Sequence, residues 1–127
     1  MELYIGGYAQ GKRDYVLSTH SGTWKIFDGT KIPEAMDEKE DKILLDHLHL
    51  FIEDRLLKKA DPLEEILKIV EAHPKCIILC DEIGNGIVPM EKEKREYRDR
   101  TGQILIRLSK EAKRVERIVC GLGQRIK

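Results

Sequence analysis

Apolar residues in this chain form short runs separated by charged or glycine-rich stretches, a pattern typical of alternating strands and helices. Five runs have the length of strands, at residues 3–5, 24–27, 42–46, 75–80 and 115–120. The run Cys76-Ile77-Ile78-Leu79-Cys80 is apolar throughout, which predicts a strand buried on both faces, as in a parallel sheet.

Helical patterns lie between these strands. A helix is expected to start at about residue 12, and residues 47–59 and 91–113 predict two more, the last with a possible break near Gly102. Asp61 and Pro62 are typical of an N-cap and first helical position, and Pro74 ends the helix that follows. Residues 34–42 predict a short solvated helix or a loop. This order favours an α/β fold with a mainly parallel sheet flanked by helices, in a single domain over residues 1–127.

The composition excludes some function classes. The 127 residues include 23 basic and 23 acidic side chains, so no overall field favours nucleic acid or a membrane surface, and any anion site must be local. We find neither an apolar run long enough to span a membrane nor an N-terminal signal-peptide pattern. The three cysteines lack the second Cys/His pair of a zinc site, and their odd number fits a cytoplasmic protein.

A glycine-rich motif directly follows the first predicted strand. It fits G-x-x-x-x-G-K and consists of Gly6, Gly7, Tyr8, Ala9, Gln10, Gly11 and Lys12, followed by Arg13. In this spacing backbone amides surround nucleotide phosphates and the lysine adds charge. Arg13 replaces the Ser/Thr that helps to hold Mg²⁺, although it could pair with phosphate itself. The alternative is a glycine-rich turn before a surface helix.

Acidic residues end two predicted strands. Asp46 follows one, and Asp81 and Glu82 follow another. Because ligands bind at the carboxyl ends of parallel strands, an acid there could hold Mg²⁺ or accept a proton from an attacking hydroxyl. Acids are also common at the start of ordinary loops. The four histidines have no partner visible in the sequence, so ordinary surface or core roles are expected for them.

The segment after the second acidic pair is the most distinctive. Residues 81–89 read D-E-I-G-N-G-I-V-P, and Arg95 and Arg98 follow one helical turn apart. These segments resemble the adenosylcobinamide kinase/adenosylcobinamide-phosphate guanylyltransferase family of cobalamin biosynthesis, whose signature reads N-E-V-G-x-G-I-V-P. Residues 95–99 resemble its R-x-F-R-D motif, residues 44–51 its L-x-D-x-L-T-x-W block, and residues 121–127 its C-terminal pattern.

The resemblance implies a P-loop fold of the RecA-like kind, often trimeric, hence a homo-oligomer. It implies ATP or GTP as the nucleotide, a corrinoid as the substrate, and phosphoryl transfer to a cobinamide hydroxyl. Lys12 would then hold phosphate, Asp46 or Glu82 would position Mg²⁺ or the acceptor hydroxyl, and Arg98 would stabilise transferred charge.

The sequence departs from the family pattern at several positions, and these departures lead to three alternative functions. The segment that carries the guanylylated histidine is expected to be missing, and His20 lacks its surroundings. Gln10 and Arg13 replace hydroxyl residues of the loop, and Leu105-Ile106 replaces an Asn-Gln pair. Three hypotheses follow: a cobinamide-type kinase with impaired use of Mg²⁺, a degenerate module that binds nucleotide or corrinoid without catalysis, and a scaffold that retains only the fold.

Overall fold

The computed structural model describes residues 1–84 and 91–127. Within these two ranges there are six strands, four α-helices and one 3₁₀ helix. In chain order they are β1 (Glu2–Gly6), α1 (Lys12–Thr19), β2 (Lys25–Asp28), the 3₁₀ helix (Gly29–Met36), β3 (Ile43–Asp46), α2 (Leu48–Leu57), α3 (Pro62–Ala72), β4 (Ile77–Asp81), α4 (Lys92–Glu111), β5 (Arg114–Val119) and β6 (Leu122–Arg125).

The strands form one sheet in the order β2-β3-β4-β1-β5-β6, in which every neighbouring pair is parallel except β5 and β6. The predicted fold class, an α/β fold of the P-loop kind with a mainly parallel sheet, is therefore confirmed. The register pairs Gly6 with Asp81 and Asp28 with Asp46. Since the carboxyl ends of parallel strands share one edge of a sheet, these pairs lie along the edge where ligands bind.

Alternation along the strands builds a core on each face of the sheet. The larger core includes Leu3, Leu45 and Ile78 and packs against α2, α3, α4 and the 3₁₀ helix. The smaller core includes Tyr4 and Leu44 and packs against α1. The glycine-rich segment therefore leads into a helix that lies on its own side of the sheet.

Three local features differ from the sequence pattern. Residues 37–42 form a loop, one of the two alternatives expected for residues 34–42, but residues 34–36 belong to the 3₁₀ helix Gly29–Met36, which buries Ile32 and Ala35. Helix α4 continues through Gly102, because no break is required where a glycine is merely exposed. The basic tail contains β6, which pairs antiparallel with β5. No helix in the described ranges has both the length and the apolar content of a bilayer span.

Candidate functional site at the carboxyl edge of the sheet

The segment between β1 and α1 forms a tight loop because its residues accept unusual geometry. A side chain on Gly6 would place its Cβ only 2.5 Å from the carbonyl oxygen of Ile118 on β5. Ala9 and Gly11 have positive φ angles of 54° and 84°, and the left-handed region strongly favours glycine. Gly11 is also the N-cap of α1 and offers no side chain to its amides. The first-turn amides therefore lack a side-chain cap, as in loops that bind anions.

The loop is braced against the turn between β5 and β6. The Gln10 Oε1 atom accepts a hydrogen bond from the Cys120 amide at 2.8 Å, and the Gly121 amide donates to the Gln10 carbonyl, also at 2.8 Å. Gly11 faces Gly121 so closely that a Cβ on Gly11 would lie 3.4 Å from its Cα atom. Thus Gln10 anchors the loop to the sheet.

Lys12 lies buried beneath this loop. Its Nζ atom donates to the Gly7 carbonyl oxygen at 2.8 Å and to that of Gly6 at 3.4 Å, and lies 2.6 Å from Asp81 Oδ1. Only 8% of the lysine side chain is exposed. A buried ammonium needs such partners, because an unpaired charge is costly away from water. The lysine is held where the motif requires it, at the floor of the loop.

Asp81 is held in turn by His49 from α2. The Asp81 amide donates to His49 Nδ1 at 3.2 Å, and His49 Nε2 lies 3.4 Å from Asp81 Oδ2. Burial lowers the pKa of His49 and outweighs the opposing effect of the Asp81 carboxylate. Since Nδ1 accepts a hydrogen bond, the neutral ring carries its proton on Nε2 and can donate it to Asp81.

Arg13, the first residue after the lysine, reaches across the loop to β3 and β2. Its Nε atom lies 2.7 Å and its Nη2 atom 2.6 Å from Asp46 Oδ2, and Nη2 also lies 3.1 Å from Asp28 Oδ2. His47 completes the group: its amide donates to Asp46 Oδ1, and its Nδ1 donates to Asp28 Oδ1 at 2.7 Å. His47 adopts a left-handed backbone with φ of 52°.

Most of these groups line one open cleft of about 270 Å³, while Asp28 and His49 lie behind its walls as partners of lining residues. Its walls combine the loop, the start of α1 and the ends of β3 and β4. The lining residues are Tyr8, Ala9, Gln10, Gly11, Lys12, Arg13, Asp14, Asp46, His47 and Asp81. A space of this size, with two cations and the loop at its floor, is suited to a phosphate chain.

The structure gathers some of the predicted site residues and places others apart. Lys12 and Asp46 share the cleft with most of the loop. Glu82 and Arg98 are not among the residues that line it: Glu82 pairs with Arg117 at 3.2 Å, and Arg98 pairs with Asp99 at 3.0 Å. The glycine-rich signature after Gly84 lies at residues 85–90, outside the described residues. The roles proposed for Glu82 and Arg98 stay predictions.

Four residues of this site were not singled out from the sequence for the roles they play here. Asp28 precedes Gly29, a pair typical of a turn, and the sequence shows no partner for His47 or His49. Asp81 ends a predicted strand, but the family resemblance implies a role for its neighbour Glu82. The register of the folded sheet pairs Asp81 with Gly6, the last residue of β1, and the Asp81 carboxylate contacts Lys12 beneath the loop.

Comparison with known proteins decides the family. Residues 18–126 match the family described as "Cobinamide kinase / cobinamide phosphate guanyltransferase". The chain belongs to this family. The resemblance of the sequence motifs is therefore confirmed, although the match begins beyond the glycine-rich loop. The phosphate-loop interpretation depends on the motif and on the geometry of residues 6–13.

A curated relative gives the same assignment over a shorter stretch. The chain is 34% identical over 68 residues to the "Bifunctional adenosylcobalamin biosynthesis protein CobU" of Salmonella typhimurium. That alignment covers 50% of this chain and 38% of the relative. The matched part of the chain thus spans well under half of the relative's length.

Proposed function

We propose that this chain is a nucleotide-binding P-loop protein of the cobinamide kinase type, which transfers a phosphoryl group from ATP or GTP to a cobinamide hydroxyl. The observation that carries the proposal is the position of Lys12, buried beneath a glycine loop at the carboxyl edge of a parallel sheet. Family membership supplies the acceptor class. The geometry supports the phosphate half of the reaction.

In this proposal the chain's own residues position the reactants. Lys12 and the amides of residues 7–12 hold the phosphates, and Arg13 adds a second cation within the same cleft. Catalysis of phosphoryl transfer is largely positioning and charge stabilisation, so a rigid loop is its main requirement. Gln10 supplies that rigidity through its hydrogen bonds to the turn between β5 and β6. Arg98 and Glu82 stay proposed contributors to charge stabilisation and acceptor positioning.

P-loop folds imply Mg²⁺ with the nucleotide, and the fit of this site to such an ion is poor. The motif hydroxyl is replaced by Arg13, and the carboxylate of Asp46 is already bound by that guanidinium at 2.6 Å. The residues therefore do not fit the metal in this arrangement, and we assign no step to it. The metal role expected for Glu82 stays a prediction.

The guanylyl-transfer half of the family's activity is not proposed. The expected loss of the histidine segment stays a prediction, and His20 is an unsuitable substitute. Its Nε2 atom pairs with Glu2 at 2.9 Å, and its Nδ1 atom donates to the Val16 carbonyl, also at 2.9 Å. Glu2 begins β1, so this pair lies at the opposite end of the strand from the loop.

Calorimetric titration with GTP and with ATP tests the nucleotide site. The wild-type chain should bind one nucleotide per protomer, and Lys12→Ala should weaken binding by at least about tenfold, since a charge-assisted contact is removed. Lys68→Ala is the matched control, because Lys68 is an exposed helix residue paired only with Glu64 among the described residues. Equal affinity of the wild type and Lys12→Ala would contradict the proposal.

Phosphoryl transfer is tested separately with adenosylcobinamide and γ-labelled nucleotide. Labelled adenosylcobinamide phosphate is expected from the wild type and not from Lys12→Ala. The second candidate function, binding without catalysis, is favoured by the engagement of Asp46 with Arg13. Nucleotide binding with no labelled product at high protein concentration would select that candidate.

Self-association is also proposed, as the family resemblance implies. Apolar side chains are exposed beside the sheet edge formed by β6: Leu122 is 73% exposed, and Val119 and Ile126 are 45% and 59% exposed. Such a surface is suited to a contact between copies of the chain. Sedimentation velocity should show a homo-oligomer such as a trimer, and a monomer at all concentrations would contradict this.

A further inference from the structure

Asp28 and Asp46, at the ends of β2 and β3, already bind a cation, the guanidinium of Arg13. Within the described residues, Asp28, Asp46 and His47 form the one group of acids and histidines whose ligand atoms lie within 4.8 Å of one another, close enough to share a metal ion. The guanidinium of Arg13 contacts both carboxylates of this group.

All four carboxylate oxygens of the pair have a donor. Asp46 Oδ2 accepts from Arg13, and Asp46 Oδ1 accepts from the His47 amide. Asp28 Oδ2 accepts from Arg13, and Asp28 Oδ1 accepts from His47 Nδ1. A divalent cation would have to displace charge-assisted hydrogen bonds and leave Arg13 without its partners. The side chain of Asp46 is only 5% exposed, so water would replace those bonds poorly.

Arg13 also has donors left for a ligand. Nη1 makes no hydrogen bond to residues 1–84 or 91–127, and the side chain is 41% exposed within the cleft. A guanidinium has five N–H donors in a fixed fork and binds phosphate as readily as carboxylate. One face can therefore stay on the two aspartates while the other binds a phosphate oxygen.

We propose that Arg13 replaces the divalent cation of this cleft, so that nucleotide phosphates bind there as a metal-free anion between Lys12, the loop amides and the Arg13 guanidinium. This rests on the proposed function of the cleft as a phosphate site. The two cations, each paired with an acid, remain in place when phosphate enters, and the phosphate charge is met by N–H donors.

The test on nucleotide is calorimetric titration of GTP in Mg²⁺ and in EDTA. For the wild type the two affinities should agree within about twofold, whereas Arg13→Ser, which restores the motif hydroxyl, should bind at least about tenfold more tightly with Mg²⁺. Arg107→Ser is the matched control, since Arg107 pairs with Glu111 on the surface of α4. Wild-type binding that needs Mg²⁺ would overturn the inference.

A second measurement does not depend on nucleotide. Mn²⁺ binding to the nucleotide-free chain, followed by electron paramagnetic resonance, should detect no ion in the wild type and one in Arg13→Ser. Asp46→Asn added to Arg13→Ser should remove that ion. If Arg13→Ser is unfolded by circular dichroism, Arg13→Gln, which keeps the length of the stem, takes its place.

The outcomes separate the two claims. A wild-type chain that binds Mn²⁺ through Asp46 overturns the role of Arg13, whether or not nucleotide binds. A chain that excludes Mn²⁺ until Arg13 is replaced, yet binds no nucleotide in either buffer, contradicts the proposed function and metal-free nucleotide binding, while exclusion of the metal by Arg13 stands.

Discussion

The buried ion pair between Lys12 and Asp81 allows a quantitative prediction. Nζ and Oδ1 are 2.6 Å apart, and the two side chains are 8% and 10% exposed. Removing one partner of a buried pair costs about 3–5 kcal/mol, because the other charge stays buried without compensation. The pair lies at the floor of an open cleft that water can enter, so we expect the lower end, about 3 kcal/mol, for Lys12→Met and for Asp81→Asn.

The double variant Lys12→Met/Asp81→Asn tests whether the two buried charges stabilise each other. Lys12→Met together with Asp81→Asn leaves no uncompensated charge, so its loss should not exceed that of the worse single variant, about 3 kcal/mol, which corresponds to a coupling energy of at least about 3 kcal/mol. Urea unfolding followed by circular dichroism at pH 7 measures the four free energies. Additive losses would refute the reasoning, because they would mean that the two charges do not stabilise each other. A second consequence is functional: Asp81→Asn releases Lys12 from its carboxylate and should tighten GTP binding.

Three further predictions concern the frame of the site. Gly6→Ala should lower the free energy of unfolding by at least about 2 kcal/mol, because its Cβ would meet a carbonyl oxygen of β5. Gly102→Ala, whose Cβ would have no atom within 4 Å, should raise that free energy by about 0.5–1 kcal/mol. Urea unfolding measures both variants, and equal effects would contradict the loop geometry. Tyr15→Phe removes the 2.6 Å hydrogen bond to Glu116 and should lower the free energy of unfolding by about 1.5 kcal/mol in the same assay. An unchanged urea midpoint would show that this hydrogen bond does not stabilise the fold. Because burial lowers the pKa of His49, the unfolded chain binds more protons below about pH 6.5, so the free energy of unfolding should fall as pH drops through that value, less steeply in His49→Gln. Equal slopes in urea midpoints from pH 8 to 5 would contradict this.

The parts of the fold that sequence predicts well are those that local physics decides. The apolar run ending at Cys80 had to be a buried strand, and Asp61 and Pro62 begin α3 as expected, with the Asp61 carboxylate accepting from the amides of residues 63 and 64. The chain-end strand β6 escaped prediction because all four of its residues are exposed and carry no alternation. Its formation depends on pairing with β5, a tertiary effect.

The candidate site shows the same division. The glycine-rich motif predicts the loop and Lys12 from spacing alone. Asp28 and His47 could not be predicted, because their roles depend on the parallel register that brings β2 beside β3. The effect of Arg13 could be predicted only in part. The sequence shows that Arg13 replaces the hydroxyl residue of the motif, but only the structure shows that its guanidinium contacts Asp46.

Backbone amide NMR with added GTP tests whether the loop between β1 and α1 is a phosphate site. We expect the largest shifts on titration to fall on the amides of residues 7–13, and we expect Lys12→Ala to abolish them. Saturating GTP that leaves those amides unshifted, or that moves only resonances elsewhere in the chain, would contradict it.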